Sequence, residues 1–403
     1  MTRVALLSLH TSPLVQPGGG DAGGMNVYVR ELAGALAHNG EHTTVYVRRW
    51  ADDLPDQITV EPGFDVVHVP AGPVDMPKED LPTVVDEFAA GVKRHMVMSD
   101  PQVIHANYWL SGVAGRKLKD QLDLPLVSTF HTLARVKAET GDPEPQARID
   151  AEAYVVGCSD VITANSEVEC DELVRHYGAD PARIEIVPPG VDRALFSPGP
   201  KAGARQALGL GDEPLLVFVG RIQALKGIDV AVEALAQLDD DRSRLLIVGG
   251  SSGADGDAYV ERIQRCIDRL GVRERVSMVP PQPHHVLSTY YRAADLVIVP
   301  SRSESFGLVA LEAAACGIPV VAADVGGLST LVRHKETGLL VPGRDPADYA
   351  DAVQSILDDA DFAERLSQQA ALVAGEYTWA LMAQRLGEMY ADLASRAPAD
   401  CFG

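Results

Sequence analysis

The feature that most constrains the fold is a repeated alternation of short apolar runs with longer segments of helical periodicity. In the first half of the chain the runs lie at residues 4–10, 43–47, 66–69, 103–105, 126–129, 161–164 and 184–187. In the second half they lie at 215–219, 244–248, 276–279, 296–299, 320–322 and 339–341. Strands that alternate with helices form parallel sheets buried between helical layers. The sequence therefore predicts an α/β protein with two Rossmann-like domains.

A segment rich in Pro and Gly, residues 188–200, interrupts this alternation and is typical of a linker or hinge. The chain has 403 residues, more than one hydrophobic core usually serves. We therefore predict a first domain over residues 1–195 and a second over residues 196–378.

Charge and composition exclude several classes of partner. The net charge of −22 disfavours nucleic acid and anionic membrane surfaces. The N-terminal apolar run is too short for a signal peptide, and no segment is long enough to cross a bilayer. The five scattered cysteines lack metal-ligand spacing and indicate reduced thiols. We expect a cytoplasmic protein that does not insert into membranes and has no metal site built from side chains.

Two motifs of the second half point to a nucleotide-activated sugar. Arg221 and Lys226 follow the predicted strand 215–219, and Glu304 and Glu312 flank the backbone amides around Gly307. Ligands of such sheets bind beyond the carboxyl ends of the strands. Cations and helix-start amides hold a diphosphate, whereas carboxylates hold sugar hydroxyls.

The glycine-rich segment 18–24 contains the spacing G-x-G-x-x-G. In a dinucleotide-binding site the first glycine directly follows the strand, but here residues 11–17, with two prolines, intervene. This length disfavours a nicotinamide site. The segment is interpreted as a loop whose amides meet a diphosphate or an acceptor anion, with a purely structural loop as the alternative.

Further candidates lie in the first half. His131 and Tyr108 follow predicted strands, where an active-site role and plain core packing are both open. Four isolated basic residues of this half are also candidates. Taken singly, each is interpreted as an ordinary solvated cation, but together they could hold an anionic acceptor: Lys78, Arg135, Lys137 and Arg148.

These motifs resemble those of the retaining glycosyltransferases of the GT-B fold in family 4, over residues 1–394. The spacings from Arg221 to Lys226 and from Glu304 to Glu312 are diagnostic of that group. The strings at 9–13, 21–28 and 108–112 are similar to the branch that transfers N-acetylglucosamine from UDP to 1D-myo-inositol 3-phosphate in mycothiol biosynthesis.

The resemblance implies two Rossmann-like domains that face a central cleft, the first for the acceptor and the second for the nucleotide sugar. It also implies that the final helix, 379–394 within the segment 379–403, returns to the first domain. Catalysis would need no cofactor, although relatives sometimes carry a structural magnesium ion on backbone carbonyls near residues 291–294. The resembled enzymes are often homodimers.

The resemblance also implies roles for individual residues in catalysis and in binding of the donor and the acceptor. The implied catalytic residues are His131, Arg221, Lys226 and Glu304. The implied donor site comprises Gln16, Pro17, Gly24, Arg221, Lys226, Gln282, Glu304, Ser305, Phe306, Gly307, Leu308 and Glu312. The implied acceptor site comprises His10, Asp21, Gly23, Gly24, Met25, Asn26, Lys78, Tyr108, Thr132 and Arg148.

Two departures keep alternatives open. Gln282 stands where the family has an arginine near the base, and the string 148–153 is closer to sucrose-phosphate synthase. The alternatives are another acceptor, such as a sugar phosphate or a secondary metabolite, another nucleotide sugar, or a binding protein without catalysis. Paired carboxylates typical of a glycosidase are not evident. The mechanistic hypothesis is retention without a catalytic metal, in which Arg221 and Lys226 stabilise the leaving diphosphate and Glu304 positions the sugar.

Overall fold

The computed structural model describes residues 1–18, 20, 22–252 and 256–401. Their contacts divide the chain into two compact units. Unit 1 comprises Met1–Val15, Met25–Gly190 and Trp379–Gly403, and unit 2 comprises Gln16–Gly24 and Val191–Thr378.

Unit 1 is built on an eight-stranded sheet. Its strands are β1 (Arg3–Ser8), β2 (His42–Arg48), β3 (Gln57–Glu61), β4 (Phe64–Val69), β5 (Val103–Asn107), β6 (Leu126–Thr129), β7 (Val161–Ala164) and β8 (Ile184–Ile186). The strand order is β3-β4-β2-β1-β5-β6-β7-β8, and all neighbours are parallel except β3 and β4. The helices are α1 (Gly24–Asn39), α2 (Val85–Ser99), α3 (Trp109–Leu122), α4 (Ala134–Glu139), α5 (Gln146–Cys158) and α6 (Glu167–Tyr177).

Unit 2 has a six-stranded, fully parallel sheet of order β11-β10-β9-β12-β13-β14. The strands are β9 (Leu215–Val219), β10 (Arg244–Val248), β11 (Val276–Val279), β12 (Leu296–Val299), β13 (Val320–Ala323) and β14 (Gly338–Val341). The helices are α7 (Lys201–Leu208), α8 (Ile228–Gln237), α9 (Gly256–Leu270), α10 (His284–Ala293), α11 (Leu308–Ala315), α12 (Leu328–Leu331), α13 (Pro346–Asp358) and α14 (Ala360–Ala374).

The apolar runs are continuous because both faces of the strands are covered. In β9, Leu215 and Val217 belong to one core cluster, whereas Leu216 and Phe218 belong to another. Successive side chains of a strand point to opposite faces, so the two clusters lie on the two sides of the sheet. The prediction of two Rossmann-like α/β domains is confirmed.

Helix α15 (Trp379–Ala394) belongs to unit 1 although it follows all the elements of unit 2. The Tyr390 hydroxyl lies 2.5 Å from Nδ1 of His105 on β5, and both residues are fully buried. The division also differs from the predicted boundary in two places. Unit 2 begins at Val191 instead of residue 196, and the glycine-rich segment Gln16–Gly24 packs with unit 2 because its backbone bonds to the turn after β10.

The expectation of five reduced thiols is wrong, because the structure joins Cys158 and Cys401 by a disulfide. Helix α15 brings the chain end to unit 1, where Asp160 accepts the backbone N–H of Ala399 and pairs with Lys119 at 2.7 Å. The other three cysteines are free thiols.

Across the described residues, no helix has both the length and the apolar character that crossing a membrane requires.

Candidate active site

Lys226 and Glu304 form an ion pair in unit 2. Lys226 ends a short 3-10 turn, Ala224–Lys226, in the connection that follows β9, and Glu304 lies in the loop after β12. Since β9 and β12 are neighbours in the sheet, the two loops meet at its carboxyl edge. The Lys226 Nζ lies 2.6 Å from Oε2 of Glu304, and both side chains are partly exposed. The structure therefore brings together a cation and a carboxylate that were predicted for the donor site.

Gly227 allows this turn to pass close to the β12 loop. Its φ of +72° favours glycine, and a Cβ atom there would lie 2.0 Å from the Pro300 carbonyl oxygen. A side chain at residue 227 would push the two loops apart and separate Lys226 from Glu304.

Arg221 connects the end of β9 with the glycine-rich loop. Its Nη1 donates to Oγ of Ser252 at 3.2 Å, and that hydroxyl donates to the Gly20 carbonyl at 2.6 Å. A Cβ atom on Gly23 would lie 3.1 Å from Nε of Arg221, so the loop packs directly on the guanidinium. The predicted donor residues Gly24 and Leu308 are also close, since a Cβ on Gly24 would lie 3.5 Å from Cδ1 of Leu308.

Backbone hydrogen bonds dock the same loop. Gly250 N donates to Gly18 O at 2.9 Å, and Gly20 N donates to Ser251 O at 3.1 Å. The Gln16 side chain donates to the Pro281 carbonyl at 3.0 Å, beside the predicted base-site residue Gln282. Pro17 begins the loop, and Asp21 lies outside the described residues.

Helix α11 begins directly after the Glu304 loop. Gly307, with φ of +100°, is its N-cap, and the preceding Ser305 and Phe306 complete the turn. Phe306 is buried and packs against Tyr377 with ring centres 5.6 Å apart and the rings tilted by 60°, so its side chain belongs to the core. The free N–H groups and the positive end of the helix dipole at this start favour an anionic ligand.

Glu312 lies on α11 with only 6% of its surface exposed. Its Oε2 accepts from the Tyr291 hydroxyl at 2.7 Å, and its Oε1 lies 2.7 Å from Nε2 of His284. Both partners lie on α10. These contacts fix the carboxylate, which the resemblance assigns to the ribose.

His131 has an unusual backbone conformation at the end of β6, with φ of +62°. Its Nε2 lies 2.9 Å from Oδ1 of Asn107, and the edge of Tyr28 packs on its ring at 4.6 Å. Burial lowers the pKa of His131 to about 3, so the imidazole is neutral near pH 7. A non-glycine residue in the left-handed region is costly and is concentrated at functional sites.

Predicted acceptor residues converge on the Tyr108 ring in unit 1. The Lys78 Nζ lies 5.6 Å from the ring centre, and the Arg148 Cζ lies 5.1 Å from it. The Arg148 Nη2 donates to Oγ1 of Thr132 at 3.0 Å, and His10 packs on Tyr108 with ring centres 4.3 Å apart. Two cations, a hydroxyl and an aromatic ring in one place can bind a phosphate ester.

Asn26 lies elsewhere in unit 1, at the start of α1. Its amide nitrogen donates to Oγ1 of Thr11 and to the Ser12 carbonyl, each at 2.6 Å. These hydrogen bonds fix the conformation of the segment that follows β1. Met25 precedes it on the same helix and is half-buried.

Two acids hold Arg148, and one of them is fully buried. Its Nε donates to Oε1 of Glu152 at 2.8 Å, and Glu152 is fully buried. The other oxygen of Glu152 accepts the Ala134 N–H at 2.9 Å and the Tyr177 hydroxyl. Glu144 also pairs with Arg148, at 2.8 Å.

In the stretch 291–294, near which the resemblance allows a structural magnesium ion, two backbone carbonyls accept hydrogen bonds from protein groups. The Ala293 carbonyl accepts Nε of Arg205 at 3.0 Å, and the Tyr291 carbonyl accepts the Ala294 N–H at 2.9 Å. A metal ion on the Ala293 carbonyl would stand beside a guanidinium. Within the described ranges, no three His, Cys, Asp or Glu side chains are grouped as metal ligands.

Four residues that hold the predicted site residues in place were not predicted from the sequence. Glu152 could have been found, because it lies four positions after Arg148 on a helix and therefore on the same face. Asn107 could have been found as well, because it ends β5, the neighbour of the strand before His131. His284 and Ser252 gave no signal, since the contact of His284 depends on how α10 packs against α11, and those of Ser252 depend on loops far apart in the chain.

The comparisons with known proteins assign the chain to a family. Residues 22–195 match the family model described as Glycosyltransferase Family 4, and residues 201–373 match Glycosyl transferases group 1. A D-inositol 3-phosphate glycosyltransferase of Xylanimonas cellulosilytica is 46% identical over 98% of this chain and 98% of its own. One of Nocardia farcinica is 48% identical over 96% of this chain and 89% of its own.

Solved structures show the same architecture. Sucrose-phosphate synthase from Thermosynechococcus elongatus has a TM-score of 0.92 at 35% identity, with 98% of this chain and 100% of the other covered. Anabaena Alr3699/HepE in complex with UDP-glucose has a TM-score of 0.79 at 21% identity, with 97% and 100% covered. The protein is a glycosyltransferase of the GT-B fold and belongs to glycosyltransferase family 4.

Proposed function

We propose that the protein transfers N-acetylglucosamine from UDP-N-acetylglucosamine to 1D-myo-inositol 3-phosphate with retention of configuration. The observation that carries the acceptor assignment is the convergence of Lys78, Thr132 and Arg148 around Tyr108. Two fixed cations suit a phosphate monoester, and the ring and hydroxyl suit a cyclitol beside it. The names of the relatives, at 46% to 48% identity, support the same acceptor.

The donor would bind to unit 2. Arg221, Lys226 and the amides at the start of α11 would neutralise the diphosphate, and Glu312 would hold the ribose. Glu304 would bind hydroxyls of the donor sugar after Lys226 turns from it to the phosphate. The complex of Anabaena Alr3699/HepE with UDP-glucose supports a UDP-sugar as the donor.

The reaction would proceed by attack of the acceptor hydroxyl on the same face that the diphosphate leaves. The bond from the anomeric carbon to the phosphate oxygen breaks, and the leaving phosphate oxygen takes the proton of the attacking hydroxyl. Lys226 and Arg221 stabilise the negative charge on the leaving group. His131 is neutral, so it would contact the donor sugar as a hydrogen-bonding group instead of a cation. No step uses a metal ion.

A sugar phosphate is the second candidate acceptor. The similarity to sucrose-phosphate synthase, at 35% identity over nearly the whole chain, favours it. The same cation cluster would bind the phosphate of either acceptor. Inositol phosphate and a sugar phosphate therefore differ in the ring to which the phosphate is attached.

Product analysis tests the proposal. Protein incubated with UDP-N-acetylglucosamine and 1D-myo-inositol 3-phosphate should form one glycoside, and its anomeric proton in the NMR spectrum should show the α configuration of the donor. A β product would contradict retention, and no product with any phosphorylated cyclitol would contradict the acceptor assignment.

A further inference from the structure

One carboxylate oxygen in unit 1 bridges two cations. Oε1 of Glu144 pairs with Nη1 of Arg148 at 2.8 Å and also accepts from the Nζ of Lys137. Glu144 lies in the turn between α4 and α5, whereas the two cations lie on those helices. The contact therefore gathers two cations from successive helices around one anionic oxygen.

The two acids that hold Arg148 are not equivalent. Glu152 is fully buried and also binds the Ala134 N–H and the Tyr177 hydroxyl, so it is fixed within the core. The Glu144 side chain is 18% exposed and belongs to a turn. A bound anion could displace Glu144 by a local movement of the turn, but it could displace Glu152 only by disrupting the core.

We propose that Glu144 occupies the position of the acceptor's phosphate, and that Lys137 is a further ligand of this phosphate beside Arg148. This inference rests on the proposed function, because it concerns the acceptor site of that reaction. A phosphate oxygen can take both cations as the carboxylate oxygen does. The phosphate and the Glu144 carboxylate are both anions, and they would repel each other if both lay within reach of the same two cations. The phosphate therefore binds only when Glu144 moves away.

The proposal makes Glu144 a specificity residue. Its carboxylate competes with weak anions for the two cations, so a ligand binds well only if it carries the higher charge of a phosphate monoester. Asp142 also pairs with Lys137, at 3.0 Å, and lies in the same turn. It pairs with Lys137 and not with Arg148 in the contacts that the structure describes, so its removal controls for the loss of a competing charge at one cation only.

Binding of inorganic phosphate to the intact protein, measured by calorimetry without donor, tests the proposal. Glu144→Gln should tighten the phosphate Kd about fivefold to tenfold, because the competing charge is removed while the size of the side chain is kept. Lys137→Met should weaken it several-fold, and Asp142→Asn should tighten it by clearly less than Glu144→Gln does, because Asp142 competes for only one of the two cations. In an Arg148→Met background, Glu144→Gln should give no gain, which assigns the effect to this site.

An unchanged or weaker phosphate Kd in Glu144→Gln would overturn the proposal, and so would an equal gain in Asp142→Asn. The result is independent of transfer activity. If Glu144→Gln binds phosphate more tightly but no variant glycosylates inositol phosphate, the proposed function fails, and a phosphate site at Lys137 and Arg148 remains without its assigned acceptor. If transfer occurs but phosphate affinity does not respond to Glu144, only this inference fails.

Discussion

At the residue scale, two side chains that were predicted to bind different parts of the donor form an ion pair with each other. Lys226 was predicted for the diphosphate and Glu304 for the sugar, and they are 2.6 Å apart. A diphosphate carries more charge than one carboxylate, so it should take Lys226 from Glu304. That exchange would release Glu304 for the sugar hydroxyls at the moment when the donor binds.

Lys226→Ala should lower kcat about 10²-fold to 10³-fold, because the charge that develops on the leaving diphosphate loses its ammonium partner. Steady-state UDP release measures the effect, and circular dichroism checks the fold. Lys201→Ala is the matched control, since Lys201 also pairs with an acid of unit 2, Asp295, at the surface. Wild-type turnover in Lys226→Ala would contradict the assignment.

Asn107 should fix the tautomer of His131. The amide oxygen only accepts, so Nε2 of His131 must donate to it, and Nδ1 remains an acceptor. Asn107→Ala should mix the tautomers and lower kcat about tenfold, whereas Asn107→Asp should keep the Nε2 proton. Imidazole nitrogen shifts in NMR spectra report the tautomer directly. A single Nε2–H form in Asn107→Ala would show that another group sets it.

The sequence could predict which charged residues lie at the same edge of the sheet, but it could not predict which hydrogen bonds fix their surroundings. Arg221, Lys226 and Glu304 follow strands, and a parallel sheet brings strand ends to one edge whatever the loops do. The contact between Ser252 and Gly20 depends on loop conformation over 232 residues of separation, which periodicity does not encode.

At the scale of elements, the glycine-rich loop is docked through the turn after β10. The Ser252 hydroxyl accepts from Arg221 and donates to Gly20, so it links the predicted diphosphate cation to the loop. Because the loop is already fixed in this way, it loses less conformational entropy when the donor binds.

Ser252→Ala should therefore raise the KM for the nucleotide sugar about threefold to tenfold and leave kcat nearly unchanged, because one hydrogen bond contributes about 1 kcal/mol to ordering the loop. Initial rates over a range of donor concentrations give both constants. The control is Ser355→Ala on α13, an exposed serine whose hydroxyl bonds only the preceding turn in the described contacts. A fall in kcat with unchanged KM would contradict a docking role.

The strands illustrate what sequence periodicity can and cannot find. The prediction 161–164 coincides with β7, whereas the prediction 4–10 runs two residues beyond β1. The antiparallel edge strand β3 was missed, since its residues are mostly partly exposed and its pairing with β4 gives it no continuous apolar run. Buried parallel strands are therefore predictable, but edge strands and strand ends depend on their neighbours.

At the scale of the whole molecule, contacts between distant parts of the chain close unit 1. His105 on β5 bonds Tyr390 on α15, and Cys158 bonds Cys401. The resemblance predicted the return of the final helix, but no pattern of spacing predicted the disulfide. Its two cysteines are 243 residues apart, and only the packing of α15 brings them together.

Acidification should destabilise unit 1 through His105. Burial, with a smaller contribution from His131, lowers the pKa of His105 to about 3, whereas the unfolded side chain has its ordinary value of 6.5. Between these values the unfolded state binds a proton that the folded state does not, so stability falls as the pH falls below 6.5. The contribution of His105 to the change in stability from pH 7.5 to 5.0 should be a loss of about 2 kcal/mol, which the difference between the wild type and a His105 variant isolates.

Urea unfolding at the two pH values measures this loss. Trp50, Trp109 and Trp379 all belong to unit 1, so tryptophan fluorescence reports that unit. His105→Gln should be less stable at pH 7.5 but should lose about 2 kcal/mol less on acidification. An equal loss in the variant would assign the acid sensitivity to other groups.

The most direct test of the central claim is the ratio of kcat/KM for phosphorylated and unphosphorylated acceptors, measured by UDP release from UDP-N-acetylglucosamine. We expect kcat/KM for 1D-myo-inositol 3-phosphate to exceed that for myo-inositol by about 10²-fold or more, and we expect Arg148→Met to remove most of this preference. A higher kcat/KM with fructose 6-phosphate would reassign the acceptor to a sugar phosphate. UDP release that does not depend on any acceptor, or an equal ratio in Arg148→Met, would contradict the account.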